Sequence, residues 1–317
     1  MTHTTTQRRG GATAAGTSLR RSRPRYGERL IVAFLFAAAF LSVLVTAGIV
    51  ISLAIPTVDF FRTVNIGHFL TGRSWAPLFK PPSFGVLPLV AATIVVTLVA
   101  MFVAVPAGLG AATYLSEYAS RRFRKVFKPV LEVLAGIPTV VYGFFALTFV
   151  TPLIQKIWPF GAPPDVYNML SAGLVMGVMI LPTVASLSED AMNAVPQALR
   201  AGAFALGSTR RQVTTRVVFP AALSGIVSAC VLGISRAVGE TMIVLIAAGG
   251  TPRFTFDPRQ GAQTMTAFIA AAGFGDQPTG STGYKTIFAV GSLLFVLTFI
   301  MNIFSIRLVR RYREVYE

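Results

Sequence analysis

The chain has 317 residues, 54% of them hydrophobic and only 13% charged, with a mean hydropathy of +0.67. A soluble domain carries about 25% charged residues, so this composition excludes one and points to a multi-spanning membrane protein. The net charge of +16 does not indicate nucleic-acid binding, because the cations lie between apolar segments and form no basic face with interleaved aromatics; the one cysteine excludes an intrachain disulfide.

Residues 1–29 are rich in Thr, Gly, Ser and Arg and carry no apolar period, which predicts a disordered basic tail. The run Leu30–Ile55 exceeds the apolar core of a secretory signal, about 7–15 residues, and reads as a retained transmembrane helix. Five further spans are expected at about 87–115, 130–153, 169–187, 219–248 and 286–306. Each is near the roughly 20 residues that a hydrocarbon core about 30 Å thick demands. Pro106, the Gly136-Ile137-Pro138 run and Pro182 predict bends whose lost hydrogen bonds neighbouring helices repair. The transmembrane domain is thus 30–312, with a short polar end at 313–317. His3 and His68 stand apart, and no metal site is expected.

Lysine and arginine segregate between the two sets of connections. The tail holds seven, the connection around Arg121, Arg122, Arg124, Lys125 and Lys128 five, the segment 188–218 four, and the C-terminal end four. The opposite loops, 56–86, 154–168 and 249–285, hold seven together. By the positive-inside rule the chain is an all-α membrane protein of six helices with both termini cytoplasmic. Two acidic features are read as ordinary: Glu132 follows Lys128 by four residues and predicts an i,i+4 pair. Glu189 and Asp190 open the cytoplasmic segment, where carboxylates favour helix N-termini. On the outer side, 262–272 suits a short helix in a loop with room to dock a partner.

The segment 188–218 is too long for a simple turn. Pro196 precedes a helical run, "QALRAGAFAL", which Gly207 ends as a glycine C-cap would. A second run, "TRRQVTTRVVF", leads to Pro220. The small residues Ala201, Gly202, Ala203 and Ala205 would let a partner surface approach closely.

The stretch "AGAFALGSTRRQVTTRVVFP" resembles the EAA loop of ABC-importer permeases: Glu-Ala-Ala, three residues, Gly, nine residues, Ile, one residue, Leu-Pro. Here Ala201-Gly202-Ala203 takes the first place, Gly207 the glycine, and Phe219-Pro220 the end; the leading glutamate is Ala201. The strings "YLSEYASRRFRKVFKPVLEVLAGIPTVVYGFFAL" (114–147), "ILPTVASLSEDAMNAVP" (180–196) and "SRAVGETM" (235–242) are similar to the phosphate-specific permease subunits usually called PstC. The resemblance spans about Phe69 to Tyr312. It implies a type I (MetI-like) importer core with a cytoplasmic coupling-helix hairpin, in a bacterial plasma membrane. It also implies three partners beside the bilayer: a homologous sister permease (PstA type), an ATPase dimer (PstB type) and an extracytoplasmic phosphate-binding protein (PstS type) outside. ATP with Mg belongs to the ATPase; this chain has no G-x-x-x-x-G-K-[ST] phosphate loop and needs no cofactor of its own.

Arg236 and Glu240 stand within the fifth apolar segment. Arg236 is 17 residues past Phe219, roughly 25 Å along a helix and so at or beyond the midplane. An intramembrane charge costs about 2.5–3.5 kcal/mol on insertion scales and marks function by default. At i,i+4 the two can pair, and a phosphate would then compete with Glu240 for the guanidinium, whose planar fork suits its oxygens. The countercharge would weaken the site enough to permit release. Ser235 and Thr241 add polar groups nearby. Three other readings stay open. A permease for sulfate or molybdate would share the architecture. A secondary transporter would favour inverted repeats, and none is convincing here. An intramembrane enzyme needs a nucleophile–base pair or a metal cluster in the spans, and no catalytic residue of either kind is found.

Overall fold

The computed structural model describes residues 26–159, 161–275 and 277–311. The predicted tail lies outside the described residues except for 26–29, and so does the end at 313–317. Internal contacts divide the chain into two units meeting at Val50 and Ile51. The described part of the first is the N-terminal portion of α1 (Tyr26–Phe61), whose side chains from Gly27 to Val50 are exposed.

The second unit begins with the rest of α1, followed by α2 (Ile66–Thr71). A two-stranded ribbon comes next, β1 (Trp75–Ala76) antiparallel to β2 (Ser83–Phe84). Helix α3 (Leu87–Thr113) runs on through a π-turn at Tyr114–Tyr118, and α4 (Arg121–Gly136) follows. A further span comprises α5 (Thr139–Phe145), a π-turn at Ala146–Val150 and α6 (Thr151–Ile157). Helix α7 (Met169–Asn193) leads into the hairpin of α8 (Gln197–Ala205) and α9 (Arg210–Val213). After a π-turn at Thr214–Val218 come α10 (Phe219–Ala221) and α11 (Leu223–Val238). A last π-turn at Val244–Ala248 precedes α12 (Met265–Gly273) and α13 (Thr282–Arg311).

Five helical segments are long and apolar enough to cross a membrane, and the bent pair Arg210–Ala221 and Leu223–Val238 makes a sixth. The six-span expectation therefore holds, with revised boundaries. The third span is Thr139–Ile157, not 130–153. Residues 130–136 belong instead to α4, a cation-rich amphipathic helix with no fully buried side chain. The cause is Pro138, which bars the preceding residue from the helical region; Ile137 is extended, at φ −66° and ψ 130°. The fourth span continues to Asn193, so Glu189 and Asp190 lie in the last turns of α7 and not at a helix N-terminus. The fifth bends by 69° beside Pro220, where the missing N–H and the ring interrupt the ladder.

The core is a three-helix contact among α3, α7 and α11. Lipid provides no hydrophobic drive between helices, so close backbone approach through small residues holds them. Helix α7 supplies Gly173 and Gly177, four apart; a Cβ at Gly173 would lie 2.6 Å from the Val99 Cβ, and one at Gly177 2.7 Å from the Ala100 carbonyl oxygen. Gly233 of α11 meets Val184 and Ile180 in the same way. Around this seam Ala100, Ala104, Met176, Met179 and Ile180 are fully or almost fully buried. A second cluster is aromatic: Phe60, Phe69, Trp75 and Phe268 meet edge to face in sequence. The expected helix at 262–272 exists as α12, but Met265–Phe268 are buried. It is a packed element, while Thr251, Arg253, Phe254 and Phe256 of the same outer loop stay exposed.

The segment before α12 folds back on the start of α7, with Leu170 N–H donating to the Pro258 carbonyl at 2.7 Å. Arg259 braces it, its Nη2 donating to Asp257 Oδ2 at 2.8 Å. Hydrogen bonds from Arg259 hold the Asp257 carboxyl below the usual carboxylate range. A depressed carboxylate contributes stability that is present above its unfolded value, about 3.9, and is lost as pH falls through the lowered folded value. Hydrogen exchange, corrected for intrinsic rates, should show residues 255–261 well protected at pH 7. It should also show them loosened at that pH by Asp257→Asn. For the helix seam, Gly177→Ala should lower stability by about 1–3 kcal/mol through overpacking, read as thermal unfolding of the detergent-solubilised chain. Gly110→Ala, where a Cβ meets nothing within 4 Å, is the control and should leave the transition in place.

Candidate functional site

Arg236 lies in the last turn of α11, at the negative end of the helix dipole, where a cation is stabilised. It is half-buried. Its Nη1 donates to Thr183 Oγ1 at 3.0 Å. Thr183 follows Pro182 in α7, and Tyr142 of α5 is within electrostatic range of the guanidinium. The Tyr142 hydroxyl donates to the Leu134 carbonyl at 2.7 Å, tying α5 back across the break to the end of α4, where the same carbonyl also accepts from the Ile137 N–H at 3.4 Å. Beside Arg236, the Ser235 hydroxyl is buried with no hydrogen-bond partner.

Arg236 and Glu240 do not pair. The i,i+4 argument assumed one continuous helix, but α11 ends at Val238 and Gly239 caps it. Glu240 sits in the interruption, only 9% exposed. Its Oε1 accepts from the N–H groups of Met242 at 3.0 Å and Ile243 at 3.3 Å, the first donors of the next helical segment. Its main-chain oxygen accepts from Thr266 Oγ1 at 2.6 Å. Glu240 thus caps a helix, satisfying donors that the membrane interior cannot solvate. Among the described residues Arg236 has no carboxylate partner.

From Thr183 a groove of about 320 Å³ runs between α4, α7 and α11 to Lys128, with Glu132, Pro182, Glu189 and Leu232 among its walls. At about 30 Å³ per water, it has room for a small oxyanion with several waters. Lys128 does not pair with Glu132 as expected. Its Nζ lies 3.8 Å from Glu189 Oε2 and 3.5 Å from Asp190 Oδ1, because α4 packs across the end of α7.

The hairpin forms as its caps dictate. Pro196 opens α8. Gly207 closes it at φ +80°, a left-handed conformation that favours glycine. The Ser208 N–H bonds the Ala203 carbonyl and the Gly207 N–H that of Phe204, the paired bonds of a Schellman cap. Thr209 and Gln212 form a capping box that starts α9. Ala201, Gly202, Gly207 and Pro220 are exposed. Ala203 is not on that face: it packs inward against a cluster containing Met192 and Val213. The most exposed large apolar residues of the hairpin are Phe204 and, at 89% exposure, Leu206. The spacing did not single out these two, and it also missed Arg200, Glu117 and Thr183. Arg200 was counted as a topological cation, although an arginine flanked by Leu199 and Ala201 on a short helix is a visible oddity. Among the described residues no group of three His, Cys, Asp or Glu is placed to hold a metal.

Residues 104–314 match the family described as binding-protein-dependent transport system inner membrane component. A probable ABC transporter permease protein, YqgH of Bacillus subtilis, is 35% identical over 281 residues, 88% of this chain and 89% of that one. The phosphate transport system permease protein PstC of Mesorhizobium japonicum is 32% identical over 284 residues, 84% of each chain. Among solved structures, a bacterial alginate ABC transporter in complex with an alginate-pentasaccharide-bound periplasmic protein aligns with a TM-score of 0.63 and 16% identity. That match covers 93% of this chain and 100% of the other. The MetNI methionine ABC transporter in inward facing conformations aligns with a TM-score of 0.52 and 21% identity, over 73% and 95%. These two likenesses are of fold.

If Glu240 is a cap, Glu240→Gln keeps the acceptor and should leave thermal stability nearly unchanged. Glu240→Ala leaves two donors unpaired and should cost about 1–3 kcal/mol. Equal losses from both substitutions would show that the charge, and not the acceptor, is what the break requires.

Proposed function

The chain belongs to the binding-protein-dependent transport system inner membrane component family, and from that premise we propose that it is one of two permease subunits of an ATP-driven phosphate importer. It is a transport component and not an enzyme. The observation that carries the anionic substrate is Arg236: a half-buried guanidinium among membrane helices, held by Thr183 and answered by no carboxylate among the described residues. Phosphate carries about one to two negative charges near neutral pH. It must shed water to cross, and arginine offers it a planar fork of donors.

The role of Glu240 differs from that of a competitor for the guanidinium. It caps the interrupted helix and so holds the station in place. Release towards the cytoplasm is favoured instead by the groove below Thr183, where Glu132 and Glu189 outnumber Lys128 and repel an anion that lingers. The homologues named as phosphate transport system permeases support phosphate over sulfate or molybdate as the cargo.

The remaining parts of the importer would be a sister permease of the PstA type, a PstB-type ATPase dimer using ATP with Mg, and a PstS-type phosphate-binding protein outside. The ATPase would engage the exposed hairpin surface of Ala201, Gly202, Phe204, Leu206 and Gly207, with both termini of this chain cytoplasmic. Closure of the ATPase would drive alternating access by moving that hairpin. The lysine and arginine bias of the connections supports this orientation.

The test is ATP-dependent phosphate uptake by the complete complex in proteoliposomes, with sulfate as competitor. Arg236→Gln should assemble normally, while uptake falls at least about tenfold through loss of charge-assisted hydrogen bonds. Arg236→Lys should retain part of it. Normal uptake by Arg236→Gln would overturn the anion station, and equal displacement by sulfate would overturn phosphate selectivity.

A further inference from the structure

Arg200 is the buried residue of α8, the first helix of the hairpin. Its Nη1 donates to the Val195 carbonyl and its Nη2 to that of Met192, each at 2.7 Å. Those carbonyls lie at and just past the end of α7, where a cation is favoured; the Met192 carbonyl also accepts from the Val195 N–H at 3.2 Å. Nη2 also reaches Glu117 Oε1 at 2.9 Å, in the π-turn that ends α3. Both side chains are only 9% exposed. One guanidinium therefore joins the hairpin to the cytoplasmic ends of the two helices that form the core.

The contacts continue beyond Glu117. Ser116 Oγ lies 3.0 Å from the same Glu117 oxygen and 3.2 Å from Asn193 Oδ1, so its single proton is shared between them. Asn193 Nδ2 donates to Glu189 Oε1 at 3.4 Å. The other oxygen of Glu189, whose side chain is 3% exposed, faces Lys128 Nζ at 3.8 Å in the wall of the groove. An unbroken polar chain thus runs from the hairpin to the groove that begins at the Arg236 partner, Thr183.

We propose that Arg200 and Glu117 are the positioning residues that transmit movement of the hairpin to the substrate groove. The inference rests on the reading of the hairpin as the ATPase contact. Its physical basis is the cost of separation. A buried ion pair pulled apart leaves uncompensated charge, so displacing α8 carries the ends of α3 and α7 with it. Movement of α7 relative to α4 then changes the distance between Glu189 and Lys128, and with it the opening of the groove. The glutamate that leads the EAA pattern is Ala201 in this chain. Arg200, the residue beside it, makes the link inward.

The experiment uses the complete complex in proteoliposomes and reads phosphate imported per ATP hydrolysed, normalised to assembled complex. Glu117→Gln keeps the acceptor and removes the charge, which spares folding; Arg200→Lys keeps the charge and loses the fork. Expected are ATP hydrolysis at a rate close to that of the wild type and a ratio of import to hydrolysis lowered about tenfold in Glu117→Gln, within the usual range of coupling between sites. Arg200→Lys should recover part of the ratio that Arg200→Gln loses. An unchanged ratio in an assembled Glu117→Gln complex overturns the proposal. So does a loss of assembly that lowers hydrolysis and import in proportion, because the pair is then only a structural rivet. A wild-type complex that does not couple ATP to import at all would remove the reading of function itself, and the proposal with it.

Discussion

A backbone donor or acceptor inside a bilayer has no water to turn to, so a membrane helix can be interrupted only where protein supplies the missing partners. This constraint governs the region around Gly239. Helix α11 stops at Val238, and the chain resumes helical form at Met242. The Glu240 carboxylate takes the first two N–H groups of the new segment, and Thr266 takes the Glu240 carbonyl. Thr264 supports Thr266, and its own hydroxyl caps α12. Residues 262–268, at the start of α12, are therefore buried beside the break they complete. With the interruption stabilised in this way, Arg236 remains at a helix end with no carboxylate partner among the described residues.

Close packing sets where that helix end stands. In lipid, helices adhere through shape, and the glycines of α7 and α11 remove the side chains that would hold them apart. Gly173 and Gly177 admit α3, and Gly233 brings α11 against Val184. Thr183 is next to Val184 in sequence, so the contact that seats α11 also brings Thr183 within reach of Arg236. Overpacking at these glycines would shift the station as well as loosen the bundle.

The hairpin end of the bundle has a different economy of charge. Buried ion pairs add little net stability, yet breaking one costs about 3–5 kcal/mol. Arg200 with Glu117 suits a joint that must transmit displacement: it resists separation and ties the hairpin to α3 and α7 at once. The looser contacts of Lys128 with Glu189 and Asp190 have longer distances and a partly exposed lysine. They suit a point where the structure opens.

The sequence by itself determined the elements whose causes are local. Hydropathy over about twenty residues marks the six spans, and Pro196, Gly207 and Thr209 mark the hairpin, because caps and turns act within a few residues. Proline at 138 was legible as a disturbance but not as a boundary. Whether a helix bends through a proline or ends at it depends on what neighbours offer the freed carbonyls. Only the tertiary structure decided the partners of the charges. Arg236 and Glu240 are four apart in sequence, yet a helix end lies between them; Lys128 and Glu132 are four apart, yet α7 offers Lys128 better acceptors. Arg200 and Glu117, 83 residues apart, meet because α3 and α7 end side by side. The physical reason is that periodicity fixes which face a residue shares within one helix, whereas charge pairing depends on where other helices end.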